Sequence, residues 1–430
     1  MSTLHKNKNI TPIENTGKNK IFDIVTQSAV LLCLFLCWLI IGLYLLFAPP
    51  KEYSAAERRK LAQAPVLTAA SVQSGTYLSA VESYAKDQFP LREFFRNIKT
   101  ASSLYGFLRS QDKGYTVING HLAMLDMELN PSSVSYACTQ MHYLYDTYLA
   151  GNDCNVYYCV IPDKNYYLNQ SDPSYPVLDY EAMRAQLADS IDFAAPIDIT
   201  DDLELSSFYC TDTHWRQECI LPATNTILTE MDVLSQTNVL PQMRNDAAGF
   251  NDRIVGSASE DGTAGPASDI SERYITVTAL DSFHGVLAGN MGWNMLSEPL
   301  LYLTNDTIEH TYVTYIDNDN CHTVYDDYYL TYEGPGADPY FFFLSGSTAL
   351  AVMETESATP DSKELIIFRD SYGSSIAPLF LAGYDRVTLI DTRYINPSML
   401  GDYVDFHGQD VLFLYSTVIM NNSYSLQSPR

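Results

Sequence analysis

Apolar residues along this chain fall into three patterns: unbroken runs, helical spacing and strand spacing. The longest unbroken run, residues 29–48, carries no charge over 20 residues and has the length of a bilayer-spanning helix. A cleaved signal peptide has a shorter apolar stretch, roughly 7–15 residues, closed by small residues. Here the run is longer and stops at Pro49-Pro50. The pattern predicts an uncleaved anchor, with a tail at 1–28, a transmembrane helix at 29–48 and a polar, Ala-rich juxtamembrane stalk at 49–76.

Between residues 77 and 108 apolar positions recur at helical spacing and break at Phe89-Pro90, which predicts two helices around a turn. Tyr115-Thr116-Val117-Ile118 followed by Asn119-Gly120 predicts a strand and a tight hairpin. Helical spacing returns over 133–150, 178–194 and 216–231. The stretch 155–161 is a short continuous apolar run, Ile197-Asp198-Ile199 a shorter one, and 364–368, 386–390 and 410–415 are three more separated by helix-length segments. Continuous short runs predict strands buried on both faces. Their alternation with helices predicts an α/β fold, a mostly parallel sheet flanked by helices, in one domain at 77–430. Residues 244–271, rich in Gly, Ala, Ser and Asp, read as a surface excursion.

Composition narrows the classes. At 430 residues, 46% hydrophobic and 18% charged, most of the chain can fold around a core, which argues against wholesale disorder. A net charge of −27 argues against nucleic acid as partner, because phosphate binding needs a basic footprint. Basic residues flank the apolar run on both sides, Lys6, Lys8, Lys18 and Lys20 before it and Lys51, Arg58, Arg59 and Lys60 after it. The positive-inside rule is therefore nearly balanced. Residues 1–50 carry +2 and the remainder −29, which favours a short basic tail inside and an acidic domain outside. There are 32 Tyr against 3 Trp, an excess that suits sugar-stacking surfaces and half-buried packing alike. Cys33 and Cys37 lie in the apolar run, and the six others, without CxxC pairs, are compatible with free thiols or with disulfides.

Two local features carry chemistry. In Glu364-Leu-Ile-Ile-Phe-Arg369-Asp370-Ser371-Tyr372-Gly373 an apolar strand ends at Asp370-Ser371 and a small-residue turn follows. Ligands of parallel sheets bind beyond the carboxyl ends of strands, where a serine is well placed as a nucleophile. In Asp212-Thr213-His214-Trp215 a carboxylate two positions before a histidine can hold one ring N–H and leave the other nitrogen as a general base. Each feature alone is better explained by helix capping. Lys164 and Arg393, near strand ends, are candidate substrate ligands, and Trp215 a candidate sugar-stacking ring. Solvation, a pair between Arg393 and Asp391 or Asp370, and core packing are their plainer readings. The tyrosine pairs Tyr157-Tyr158, Tyr166-Tyr167 and Tyr328-Tyr329 line a groove or pack half-buried. The remaining histidines are scattered, so neither a metal nor a cofactor is expected.

The stretch from Phe208 to Trp215 resembles the signature of the DHHW proteins and of the related alginate O-acetyltransferase family, both of the SGNH-hydrolase superfamily. Further stretches fit in order: Asp87-Gln-Phe-Pro-Leu-Arg92, Ile161-Pro162-Asp163-Lys164, Phe283-His284-Gly285, Arg369-Asp370-Ser371-Tyr372-Gly373, Ile390-Asp391-Thr392-Arg393-Tyr394 and Val411-Leu-Phe-Leu-Tyr415. The resemblance covers roughly residues 80–416. It implies an SGNH-hydrolase-like fold with Ser371 as nucleophile, His214 as base and Asp212 as the carboxylate orienting it. It also implies an oxyanion loop at Leu344-Ser345-Gly346-Ser347, where Gly346 and Ser347 are the candidate donors. Two positions depart from the family pattern: Thr213 replaces the first His of the name motif, and Ser347 an Asn.

The function implied is that of a membrane-anchored, extracytoplasmic serine-type O-acyltransferase or esterase. It would act on a cell-surface polysaccharide, moving an acetyl group supplied through a polytopic membrane-bound O-acyltransferase partner. The competing expectation is a non-catalytic glycan-binding or envelope-assembly protein that keeps the same frame. Helix capping gives no reason for Ser371 to meet His214 in space, so their separation decides between the two.

Overall fold

The computed structural model describes residues 16–107, 111–112, 114–125, 128–234, 273–293, 295–316, 318–332, 334 and 337–429; the excursion expected at 244–271 lies outside them. The chain divides into two compact units, residues 1–54 with 60–95 and residues 55–59 with 96–430.

In the first unit a helix runs over Thr16–Phe47, and its stretch Phe22–Phe47 is long and apolar enough to cross a membrane. The helix starts before the expected residue 29 because Phe22, Ile24 and Val25 continue its apolar character. The segment expected as a stalk is ordered in part: a two-stranded ribbon pairs β1 (Tyr53–Ser54) with β2 (Arg59–Lys60), and a short helix, Ala69–Gln73, is held by a capping box between Thr68 and Ser71. The helix Thr76–Asp87 ends before Pro90, and Arg92–Ala101 follows, as the break at Phe89-Pro90 predicts. The stretch Asp87–Arg92 serves this unit internally. Gln88 bonds both backbone groups of Lys51, and Asp87 accepts the Ala62 N–H at 2.8 Å.

The second unit is built on an eight-stranded sheet. Its strands are β5 (Asn155–Ile161), β6 (Ala195–Ile197), β9 (Tyr312–Tyr315), β10 (Asn318–His322), β11 (Leu350–Glu354), β12 (Glu364–Arg369), β13 (Arg386–Ile390) and β14 (Asp410–Ser416), in the order β10-β9-β11-β13-β12-β14-β5-β6. The five strands β13, β12, β14, β5 and β6 are mutually parallel, and β11, β9 and β10 form an antiparallel edge. Two ribbons stand apart: β3 (Tyr115–Ile118) with β4 (His121–Met124), turning at Asn119-Gly120, and β7 (Ile275–Phe283) with β8 (Glu298–Thr304).

The pleat sorts the core. Leu365 and Ile367 of β12, Leu412 and Leu414 of β14 and Val387 and Leu389 of β13 face one apolar layer, closed by Ile227 and Leu228 of the helix Leu221–Glu230 and by Leu379 and Phe380. Ile366, Phe368, Val411 and Phe413 face the other, closed by Val134 and Met141 of Pro131–Leu144 and Met183 and Leu187 of Tyr180–Ser190. Burial on both faces is why these strands read as continuous apolar runs. The carboxyl ends of β5, β12, β13 and β14 lead into Pro162-Asp163-Lys164, Asp370-Ser371, Asp391-Thr392-Arg393 and Ser416-Thr417, so the chemistry-bearing segments share one edge of the sheet.

Two expectations shift. The short strand expected at 197–199 sits at 195–197, because Asp198 turns the chain by accepting the Thr200 N–H at 2.9 Å. The helix expected over 216–231 begins in earnest only at Leu221, where Pro222 suits a first turn but not an interior. The seven described cysteines are unbridged.

Candidate active site

β12 delivers the serine. Arg369 ends the strand, and the buried carboxylate of Asp370 closes a tight turn by accepting the Tyr372 N–H at 2.9 Å. Its other oxygen takes the Ser416 N–H at 2.8 Å and hydroxyl at 2.6 Å, tying the end of β12 to the end of β14. Gly373 is required by close approach, since a Cβ there would lie 2.7 Å from Cβ of Arg369. Ser371 emerges between these fixed points, half-buried.

The Asp-x-His segment sits at the tip of an irregular hairpin whose arms meet at Phe208 and Trp215. It is held on every side. Lys164 donates to the carbonyls of Tyr209 at 3.0 Å and Asp212 at 2.6 Å. Glu298 accepts the N–H groups of Cys210 and Thr211 at 2.8 and 2.7 Å, and the Thr211 hydroxyl at 2.8 Å. Tyr372 donates its hydroxyl to the Thr213 carbonyl at 2.6 Å. Gly285 packs directly on the loop, where a Cβ would lie 2.3 Å from the Thr211 carbonyl oxygen. That contact gives Phe283-His284-Gly285 a physical reason.

The structure brings Ser371 to His214 across 157 residues of sequence, with Asp212 on the other side of the imidazole. Ser371 Oγ lies 2.8 Å from His214 Nε2, and His214 Nδ1 lies 2.6 Å from Asp212 Oδ1. Asp212 is fully buried; burial opposes its charge, but His214, Arg58 and the Val286 N–H at 2.7 Å outweigh it and hold the carboxyl well below the usual range. An ionised carboxylate only accepts, so Nδ1 carries the ring proton and Nε2 is left to accept from Ser371. The Tyr340 ring stacks on the imidazole, and its hydroxyl donates to Ser375 Oγ at 2.9 Å.

The other candidates take different places. Trp215 is fully buried, with Nε1 donating to Ser375 Oγ at 2.8 Å, and offers no ring face to a sugar. Lys164 is buried under the Asp212 loop instead of meeting solvent; burial lowers its pKa to about 8 against the pull of Asp212 and Glu298. Arg393 is engaged by Asp391 through Nε at 2.9 Å and Nη2 at 2.6 Å, its plainer reading. The loop at 344–347 departs from the oxyanion expectation. Leu344, Ser345 and Gly346 all have positive φ, curling the chain so that the Gly346 N–H donates to Phe343 at 3.2 Å, while Ser347 is exposed. Among the described residues no group of three or more His, Cys, Asp or Glu is arranged to hold a metal ion. Sequence reading missed Glu298, Tyr340 and Arg58: the first two act through backbone and ring contacts that no local motif marks, and Arg58 was counted only as a charge beside the apolar run.

No protein-family model and no curated protein matches the chain. Solved structures do. A DHHW family protein from Eubacterium siraeum superposes with a TM-score of 0.53 at 18% identity, over 74% of this chain and 95% of that one. PatB1 of Bacillus cereus superposes with a TM-score of 0.50 at 14% identity, over 71% of this chain and 96% of that one. What the chain shares with both is the fold, the α/β arrangement that its own sequence leads one to expect of a DHHW-like protein.

Proposed function

We propose that the second unit is a serine-type acyltransferase or esterase acting on a cell-surface polysaccharide. The observation that carries the reading is the hydrogen-bonded chain Ser371–His214–Asp212. His214 Nε2 takes the hydroxyl proton as Ser371 Oγ attacks an acyl carbonyl. The tetrahedral intermediate collapses, the bond to the donor oxygen breaks, and the imidazolium returns the proton to that leaving oxygen. A sugar hydroxyl, or water, then gives its proton to His214 and attacks the acyl-serine; the bond from the acyl carbon to Ser371 Oγ breaks, and the imidazolium returns its proton to Oγ, regenerating the free serine. Asp212 stays ionised throughout and stabilises the imidazolium. Acetyl as the acyl group, and a polytopic membrane-bound O-acyltransferase as its supplier, follow from the sequence resemblance. The topology, in which the helix at Phe22–Phe47 anchors the protein with the acidic unit outside, rests instead on the apolar run and on the charge asymmetry along the chain.

A serine-reactive fluorophosphonate probe tests this on the full chain. Labelling is expected, and is expected to disappear in Ser371→Ala and to slow strongly in His214→Ala. No labelling of the wild-type protein overturns the enzyme reading in favour of a glycan-binding role. That second reading draws support from the loop at 344–347, whose Gly346 N–H is engaged elsewhere.

A further inference from the structure

Arg58 reaches the candidate site from residues 55–59, a segment fixed within the second unit. Its neighbour Glu57 pairs with Arg96 at 3.0 Å, and the Ala56 carbonyl is packed so tightly on Gly289 that a Cβ there would lie 1.7 Å from its oxygen. Arg58 itself adopts a left-handed backbone (φ 52°), which a non-glycine residue takes up at a cost. Its guanidinium, 14% exposed, lies 2.5 Å from Asp338 Oδ2 and 4.0 Å from Asp212 Oδ2, and donates to the His284 carbonyl at 3.4 Å.

Two buried carboxylates thus share one cation, and each disfavours the charge of the other. Burial raises the Asp338 pKa, with Asp212 adding to the rise and Arg58 opposing it. Among the described residues, the other charged and titratable groups on the elements packed around the pair include His214 on the same loop, His284 next to Gly285, Lys164 on the Asp212 carbonyl, Glu298 on the backbone of 210–211, Tyr340 beside Asp338, and Asp370 and Tyr372 from the turn after β12. The hydrogen bonds of Lys164 go to backbone carbonyls, so among the described residues Arg58 is the permanent cation whose contacts fall on the carboxylate oxygens of the pair.

We propose that Arg58 is a positioning residue for the Ser371–His214–Asp212 chain: it neutralises the Asp212–Asp338 pair, so that Asp212 remains an acceptor for the imidazole. The inference rests on the catalytic reading above. Without Arg58 the pair takes up a proton, since two adjacent buried carboxylates do not both ionise. A proton shared by Asp212 weakens its hold on His214.

The test uses full-length protein in detergent, with Arg58→Met, Arg58→Lys and the double variant Arg58→Met/Asp338→Asn. The rate of fluorophosphonate labelling is followed against pH. Arg58→Met is expected to label about tenfold more slowly near neutrality, with its acid limb moved up by about one pH unit. Removing the second carboxylate in the double variant should restore the wild-type limb, and Arg58→Lys should fall between. Thermal unfolding gives a readout independent of catalysis. A raised native carboxyl binds its proton more tightly than the unfolded chain does, so Arg58→Met should gain stability relative to wild type as pH falls, and the double variant should not. A wild-type pH profile in Arg58→Met, or a double variant as slow as the single one, overturns the proposal. Absence of labelling in every protein overturns the catalytic reading instead, and the unfolding data then still judge the charge pairing.

Discussion

The Tyr340 ring lies flat on the imidazole of His214, with centroids 3.9 Å apart and planes within 11°. The stack fixes the plane in which Nε2 faces Ser371 while leaving both ring nitrogens to their own partners. Tyr340→Phe keeps the ring and loses only the bond to Ser375. It is expected to retain most labelling by a fluorophosphonate, whereas Tyr340→Ala, which frees the imidazole to turn, is expected to lose about tenfold or more.

Asp212→Asn keeps the shape of the side chain but presents an amide that can donate to Nδ1 and so select the wrong tautomer. Turnover is expected to fall by about 10³–10⁴-fold, measured by ester hydrolysis. Thermal unfolding near neutral pH is expected to show a loss of stability as well, because a carboxyl held below its ordinary range stabilises the fold above that range and the substitution leaves Arg58 facing an amide. A loss of turnover of less than tenfold would mean that the carboxylate does not orient His214.

Lys164 provides a pH test of its own. Its pKa is lowered by burial from an ordinary 10.5 to about 8 in the folded chain. Between those values the unfolded chain binds the extra proton, so stability rises with pH through that window. The wild-type protein is expected to gain on Lys164→Met by up to about 3 kcal/mol as pH rises from 8 towards 10.5. Chemical denaturation of both proteins across that range measures it, and parallel curves would refute it.

Gly285→Ala places a methyl group where the Thr211 carbonyl stands, 2.3 Å away. The Asp212 loop must shift. A stability loss of about 1–3 kcal/mol is expected, with a larger proportional loss of Ser371 labelling than of fold. Equal labelling at equal folded fraction would show that the loop has room to spare.

Much of this was legible in the sequence. The runs at β5, β12, β13 and β14 announced themselves because their central residues pack on both faces of the sheet, so polar residues fall mainly at the strand ends. The pairing of Asp212-x-His214 with Ser371 was legible as well, through motif order. The antiparallel edge and the separate β7–β8 ribbon were not: β9 alternates exposed and buried residues over only four positions, and β7 exposes much of its length, with Thr, Asp and Ser breaking its pattern. Lys164 and Trp215 misled for a common reason. A charged or aromatic side chain beside a catalytic motif looks the same in sequence whether it faces a ligand or braces the loop from beneath, and here both brace it.

The Asp212 loop draws its supports from Leu122, Lys164, Gly285, Glu298 and Tyr372, segments spread over 250 residues of chain. Such a loop cannot be assembled locally. Its closure requires long-range contacts to be in place, and these form late because each carries the entropy of bringing distant segments together. A nascent or misfolded chain therefore carries Ser371 without His214 and Asp212 beside it, and the hydrogen-bonded chain of the three exists only once the tertiary structure around it is complete.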